Sequence, residues 1–361
     1  MTTTAARQAR GLVTAALLSL PPAMAARYVV FPSPGVVEVA EETVPAPVDG
    51  EVRCRADVSL ISTGTEGACL RGVFESGTNW ADWVSYPFRP GYSMAATVTD
   101  VGPGVTGLAA GDRVACWAPH SEEFVWPAKD VYRIPAGVSS QDAAWAVLGS
   151  TTQLAVRRAS LELGERVGVI GAGLLGQLIV QYCLAAGART VVAIDAPGHR
   201  LDAATAHGAT HALALDAATA RGAVAELTGG KMLDVVFDAT GHPTVLASAI
   251  QLVRRLGRVV LVGDTPTPSE QRLGPGVVSN AVAILGIHAL TRPEVSDDFH
   301  PWSAGEIAGL FFDYLLQGRI RVDDLVTRHH SPLDAPQVYA DLMGDRSGVI
   351  GVVFDWSRLG D

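Results

Sequence analysis

Three glycines in the stretch "RVGVIGAGLLGQ" (Gly171, Gly173 and Gly176) stand at the spacing G-x-G-x-x-G, directly after an apolar run and at the start of a helix-like one. Gly171 permits a tight turn, Gly173 lets the backbone approach a pyrophosphate, and Gly176 lets helix and strand pack closely. Leu174 and Leu175 offer the first N–H groups of the helix to the phosphate charge. Nineteen residues beyond Gly176, Asp195 ends the next apolar run, "TVVAID". A carboxylate there accepts from the adenosine ribose hydroxyls and repels a 2′-phosphate, and a charged hydrogen bond of about 1.5–3 kcal/mol favours NAD(H) by roughly ten- to a hundredfold. Arg200 could instead hold that phosphate, so NADP(H) stays open. Thr240 and Gly263, closing the later runs "DVVFDAT" and "RVVLVG", complete the candidate cofactor set. A second crowded stretch is "LISTGTEG" at 60–67, where four polar side chains lie between glycines after a strand-like alternation.

These residues need elements to position them. Around the glycine motif, "RVGVIG", "TVVAID", "HALAL", "DVVFDAT", "RVVLVG" and "VAILGIHAL" are near-continuous apolar runs. Helical stretches such as "GLLGQLIVQYCLAAG" and "TVLASAIQLVRRLG" lie between most of them, which predicts a six-stranded, doubly wound parallel sheet covered on both faces. From Arg27 to about Arg133, short runs broken by Pro, Gly and Asp predict a compact β-barrel-like domain. The expected division is an N-terminal extension over 1–23, a β-rich domain over 24–150, a dinucleotide domain over 151–290, and a segment over 291–361 that returns to complete the β-rich domain.

Composition narrows the partners. The formal charge is −10, the only lysines are Lys129 and Lys231, and the arginines are scattered, which argues against nucleic acid or an anionic membrane surface. Cys54, Cys69, Cys116 and Cys183 lie far apart, as befits free thiols rather than a disulfide framework. The stretch "RQARGLVTAALLSLPPAMAA" imitates a secretory signal, yet a nucleotide motif implies a cytosolic cofactor and Met24 could itself be a start, so the expected location is cytoplasmic. No apolar run reaches the ~20 residues that span a bilayer.

With the motif, the acidic residue and the preceding β-rich half together, the chain resembles the medium-chain dehydrogenase/reductase superfamily from about 25 to 356. The likeness extends to "PGVVEVAEETVP", "GDRV", "PAGVS", "LELGERVGVIGAG", "FDATG" and "GRVVLVG". It implies a GroES-like β-barrel catalytic domain followed by a Rossmann domain. In zinc-dependent members the stretch matching "ISTGTE" carries a cysteine ligand, and a later Gly-His-Glu carries the second. Here those positions read Thr63 and Gly91-Tyr92-Ser93, "WAVLGS" offers no strong third ligand, and the four-cysteine lobe is missing between Val114 and Phe124. Zinc needs three such ligands, so the resemblance implies a zinc-free branch, similar to bacteriochlorophyllide dehydrogenase-like enzymes.

Hydride transfer at a carbonyl requires that charge on the substrate oxygen be stabilised. Without a metal, Tyr92 is the leading donor, with Thr63 and Ser93 beside it. Using a tyrosine of ordinary pKa near 10 as an anionic base at pH 7 costs about 4 kcal/mol, whereas a neutral donor costs nothing, which favours reduction of a ketone, imine or activated alkene. Glu66 and His120 are expected near the substrate, where they could tune Tyr92. Trp80 and Trp83, in "NWADWVSYPF", are expected to wall a bulky or planar one. His207 and His211 in "HGATH" read as a solvent-facing loop. Asp297, Asp298 and His300 could bind a cation but read more simply as a hydrated loop. "RHHSPL" reads as interdomain packing. The expectation is a zinc-independent oxidoreductase acting on a carbonyl, alcohol or imine of a small or medium-sized metabolite. An NADPH-dependent enone or quinone reductase and a non-catalytic dinucleotide sensor are the alternatives. By the resemblance, the apolar strand "AVAILGIHAL" pairs across a homodimer.

Overall fold

The computed structural model describes residues 25–360 except 197, 292, 299 and 300, so the extension over 1–23 and His300 lie outside the described residues. Strands β1 (Ala25–Val30) and β2 (Glu38–Thr43) pair antiparallel as a two-stranded ribbon. Next come β3 (Glu51–Leu60), β4 (Met94–Val101), β5 (Arg113–Cys116), β6 (Glu123–Pro127) and β7 (Val131–Arg133). On β3, Val52, Cys54 and Ala56 turn inward while the intervening Arg53 and Arg55 turn outward, the period-2 pattern of a strand with one dry face. These inward residues join Val29, Phe31, Phe124 and Phe354 in a barrel core.

The second half contains β8 (Arg166–Ile170), β9 (Thr190–Asp195), β10 (His211–Ala214), β11 (Leu233–Asp238), β12 (Val253–Leu261) and β13 (Ala283–Gly286). They form one parallel six-stranded sheet in the order β10-β9-β8-β11-β12-β13. Every residue of β11 is buried, because helices cover both faces there. This is the Rossmann order, and the switch point lies between the paired strands β8 and β11, from which the chain continues to opposite sides of the sheet. One expected helix is shorter than its pattern: "TVLASAIQLVRRLG" is helical only over Val245–Leu252, and Val253 begins β12. Arg254 is drawn to Asp234 of the neighbouring strand at 2.5 Å, a tertiary pairing that no local periodicity encodes.

The chain then comes back. Strands β14 (Val326–His330) and β15 (Gly351–Asp355) join the first half, with β15 antiparallel to β3, giving a seven-stranded sheet. The helices that matter for the site are α1 (Thr63–Arg71), α2 (Asn79–Trp83), α3 (Ala146–Arg158), α4 (Leu174–Ala185), α5 (Ala304–Leu316) and α6 (Ala335–Met343). A single core links the two halves through Leu60, Trp145, Val169, Leu178, Phe311 and Val353. Each such fully buried side chain contributes about 1.5–3 kcal/mol, so the halves are held as one packed body. At the cleft edge, Glu75 accepts from both the N–H and the hydroxyl of Ser269, the latter at 2.6 Å, and its own N–H donates to Pro266.

Candidate active site

The cleft between the halves encloses about 980 Å³. On its nucleotide side, Gly171 makes the turn at φ +90°, and a Cβ on Gly176 would lie 1.9 Å from the Gly171 carbonyl oxygen, so only glycine lets α4 start this close to β8. Gly173 caps α4 without a side-chain acceptor, and nothing lies within 4 Å of where its Cβ would be. The first N–H groups of α4 therefore face open space, a fit for a pyrophosphate. Asp195 accepts from Ala172 N–H at 2.8 Å and from Ala196 N–H at 2.7 Å, one bond per oxygen, which leaves lone pairs for ribose hydroxyls. Thr240 is pinned to the buried Asp238 through its N–H at 2.9 Å and its hydroxyl at 2.6 Å, and Gly263 presses so close to Gly241 that a Cβ would come within 2.2 Å of its nitrogen. Leu174, Leu175, Thr240 and Gly263 all line the cleft. Arg200 lines it too, but its Nε donates to Val349 O at 3.0 Å and its Nη2 to Arg346 O at 2.6 Å. Two of its donors are thus committed to tying the C-terminal return to the nucleotide half rather than to a ribose phosphate.

On the facing side, "LISTGTEG" runs from the end of β3 into the first turn of α1. Ser62 sits at the N-cap, yet its hydroxyl makes no capping bond; it meets the Tyr92 hydroxyl at 2.5 Å. One turn on, Thr65 Oγ1 lies 3.3 Å from the same phenol. The Tyr92 ring stacks on Trp117 with centroids 5.9 Å apart. Burial, assisted by the Glu66 charge, pushes the phenol up to about 12, against the opposing effect of the Ser62 and Thr65 hydrogen bonds. Thr63 also faces the cleft, and its carbonyl accepts from Arg346 Nη1 at 3.0 Å.

Three expected site residues are placed differently. Ser93 is buried behind Tyr92, its hydroxyl has no polar partner, and it does not reach the cleft. Side chains alternate along an extended segment, so Tyr92 pointing into the cleft turns Ser93 away. Glu66 and His120 are 1% and 0% exposed and face each other at 3.1 Å behind the wall, because a carboxylate there is needed by buried donors rather than by a substrate. Trp80 and Trp83 do line the cleft, 6.2 Å apart between ring centroids. Residues not anticipated are Ser62, Thr65, Trp117, Arg71 and Arg346. Helical spacing in "STGT" could have pointed to Ser62 and Thr65 on one face; nothing local marks Arg346, which arrives from the distant return. His207, expected in a solvent-facing loop, is instead buried and bound to Asp324 at 3.0 Å.

Residues 54–161 match the alcohol dehydrogenase GroES-like domain, and residues 175–304 match the zinc-binding dehydrogenase family. The chain belongs to the medium-chain dehydrogenase/reductase superfamily, a family of NAD(P)-dependent oxidoreductases. Among curated relatives, D-guloside 3-dehydrogenase of Escherichia coli K12 is 29% identical over 74% of this chain and 78% of its own. Sorbitol dehydrogenase of Bacillus subtilis is 28% identical over 71% and 81%. An alcohol dehydrogenase of Escherichia coli CFT073 complexed with NADH superposes with a TM-score of 0.77 at 23% identity, covering 92% of this chain and 99% of that one. Galactitol-1-phosphate dehydrogenase of Escherichia coli superposes at 0.75 with 20% identity, covering 91% and 99%. These superpositions establish the shared fold. The family name implies a zinc, which takes three protein ligands of the Cys, His or Asp/Glu type. Among the described residues no three His, Cys, Asp or Glu side chains converge, and the cleft wall presents the neutral hydroxyls of Ser62, Thr63, Thr65 and Tyr92. The four cysteines are free and buried.

Proposed function

We propose that this protein is a zinc-independent member of its superfamily that reduces a carbonyl, or an equivalent C=N group, with NADH as the favoured cofactor. The observation that carries the reading is the Tyr92 hydroxyl, 2.5 Å from Ser62 and 3.3 Å from Thr65, lining the cleft opposite the glycine cradle. When bound, the nicotinamide supplies the hydride. In the free site the Tyr92 O–H donates to Ser62 Oγ and Thr65 Oγ1; in this reading it turns to the substrate oxygen and stabilises the charge that grows there, and the Ser62 and Thr65 hydroxyls rotate to donate to the phenol oxygen, which makes it a better donor. With the phenol near 12, holding it ionised at pH 7 would cost about 7 kcal/mol, so it acts as a neutral acid.

Asp195 selects the unphosphorylated ribose. Arg71 and Arg346 line the cleft with no carboxylate in ion-pair distance among the described residues, and in this reading they meet the cofactor's phosphate charge. Trp80, Trp83 and Trp117 offer indole faces to a ring or another flat substrate surface. Relatives named for a guloside and for sorbitol make sugars and polyols the first class to assay. The hydroxyl set is also what supports the zinc-free branch placement, and a cytosolic cofactor pool supports a cytoplasmic location. Tyr92→Phe tests the core of the reading: turnover falls about tenfold or more while NADH affinity is retained, and unchanged turnover would remove Tyr92 from its role.

A further inference from the structure

Behind the cleft wall, five buried side chains from distant parts of the chain are joined in one line. The Trp356 indole can only donate, and its Nε1–H reaches Ser59 Oγ at 3.0 Å. Glu66 Oε2 lies 3.1 Å from His120 Nε2 and as a carboxylate oxygen accepts, which assigns a ring proton to Nε2, and Nδ1 shares a hydrogen bond with the Ser59 hydroxyl at 2.7 Å. The Tyr339 hydroxyl donates to that same carboxylate oxygen. The other oxygen accepts the backbone N–H of Ser62 at 2.7 Å. Ser59, Glu66, His120 and Tyr339 are all at most 1% exposed.

Three donors therefore converge on one carboxylate at the start of α1, and the residue they hold in place is the one whose hydroxyl contacts Tyr92. The second grip is on Tyr92's own segment. His120 N–H donates to Pro90 O at 2.9 Å, and its ring packs so tightly on Gly91, at φ +94°, that a Cβ there would come within 2.7 Å of it. A buried carboxylate is a poor way to add stability, since apolar side chains of the same volume would do as well. We propose that Glu66, oriented by His120 and Tyr339, is a positioning residue that fixes Ser62 against the Tyr92 hydroxyl and so holds the phenol at the reacting oxygen. Glu66 touches neither substrate nor cofactor; it acts through Ser62. This inference rests on the catalytic reading of Tyr92.

Glu66→Gln keeps the shape but sets an amide N–H₂ where an acceptor is required. Turnover should fall about tenfold with KM and NADH affinity within about twofold of the parent, and Tyr339→Phe, which removes one donor without touching the cleft, should lower it about threefold. In a Tyr92→Phe background the Glu66→Gln effect should shrink to less than about twofold, because the residue through which it acts is already silent. An equal effect in both backgrounds would overturn the positioning role while leaving Tyr92 catalytic. Unchanged turnover in Tyr92→Phe alone would instead overturn the catalytic reading. A crystal structure of Glu66→Gln provides an arm independent of turnover: the Tyr92 and Ser62 hydroxyls are expected to part, and an unaltered contact would sink the inference. Tyr339→Phe serves the same structural test should Glu66→Gln fail to fold.

Discussion

In the proposed reaction the proton donor is one phenol, and its proton is hard to remove. Burial raises Tyr92 to about 12, and in the proposed reaction the neutral form is the donor, so its contribution is expected to persist below that value and to be lost above it. Carbonyl reduction is therefore expected to show no alkaline limb attributable to Tyr92 between neutral pH and about 10, measured as kcat/KM over the range in which the protein stays folded. A limb near 7 would mean that another group carries the proton. That Tyr92 lines the cleft was readable from the resemblance, by which "GYS" falls at a metal-ligand position. Its partners were not, because Ser62 and Thr65 become neighbours of the phenol only once α1 has formed and packed beside it.

At the scale of elements, the site is two helix starts facing each other across a cleft. The start of α4 is built by glycines, and the consequence of filling one is calculable. In Gly176→Ala a methyl carbon would sit 1.9 Å from a backbone oxygen, so α4 must back away from β8. NADH binding, followed by quenching of the cleft tryptophans, is expected to weaken by about tenfold or more, with about 1–3 kcal/mol of stability lost on thermal melting. Arg346→Ala should weaken the same binding without the loss of stability, since among the described residues this guanidinium's one hydrogen bond is to Thr63 O. The glycine turn was legible because its requirement is local, a positive φ and a close approach within a few residues. The run "TVLASAIQLVRRLG" misled because a helix and the following strand share apolar residues there, and sheet pairing decides where one stops.

At the scale of the whole molecule, the parallel sheet ends in β10 on one side and β13 on the other, both half-exposed, and β13 is flanked by exposed Val278 and Leu290. Pairing of two β13 edges would make the proposed homodimer, and sedimentation equilibrium should give twice the chain mass of 37.7 kDa. A monomer at all concentrations would end that proposal. The cleft's donor set sets a second expectation. Exhaustive chelation should leave turnover unchanged and added zinc should not raise it, whereas activity that vanishes with chelation and returns with zinc would show that a metal enters by a route the hydroxyls do not explain.

Several features were determined by the amino-acid sequence alone: the six-stranded parallel sheet, the glycine turn that opens α4 and the placing of Asp195 at the end of β9. Each depends on residue type at short spacing, where backbone geometry and periodicity act directly. Only the tertiary structure decided that Ser93 faces away, that Glu66 and His120 stand behind the wall rather than in it, and that Arg200 and Arg346 join the return to the cleft. The physical reason is that a side chain's partner is chosen by packing between segments as far apart as Ser62 and Tyr339, and no pattern within either segment carries that choice.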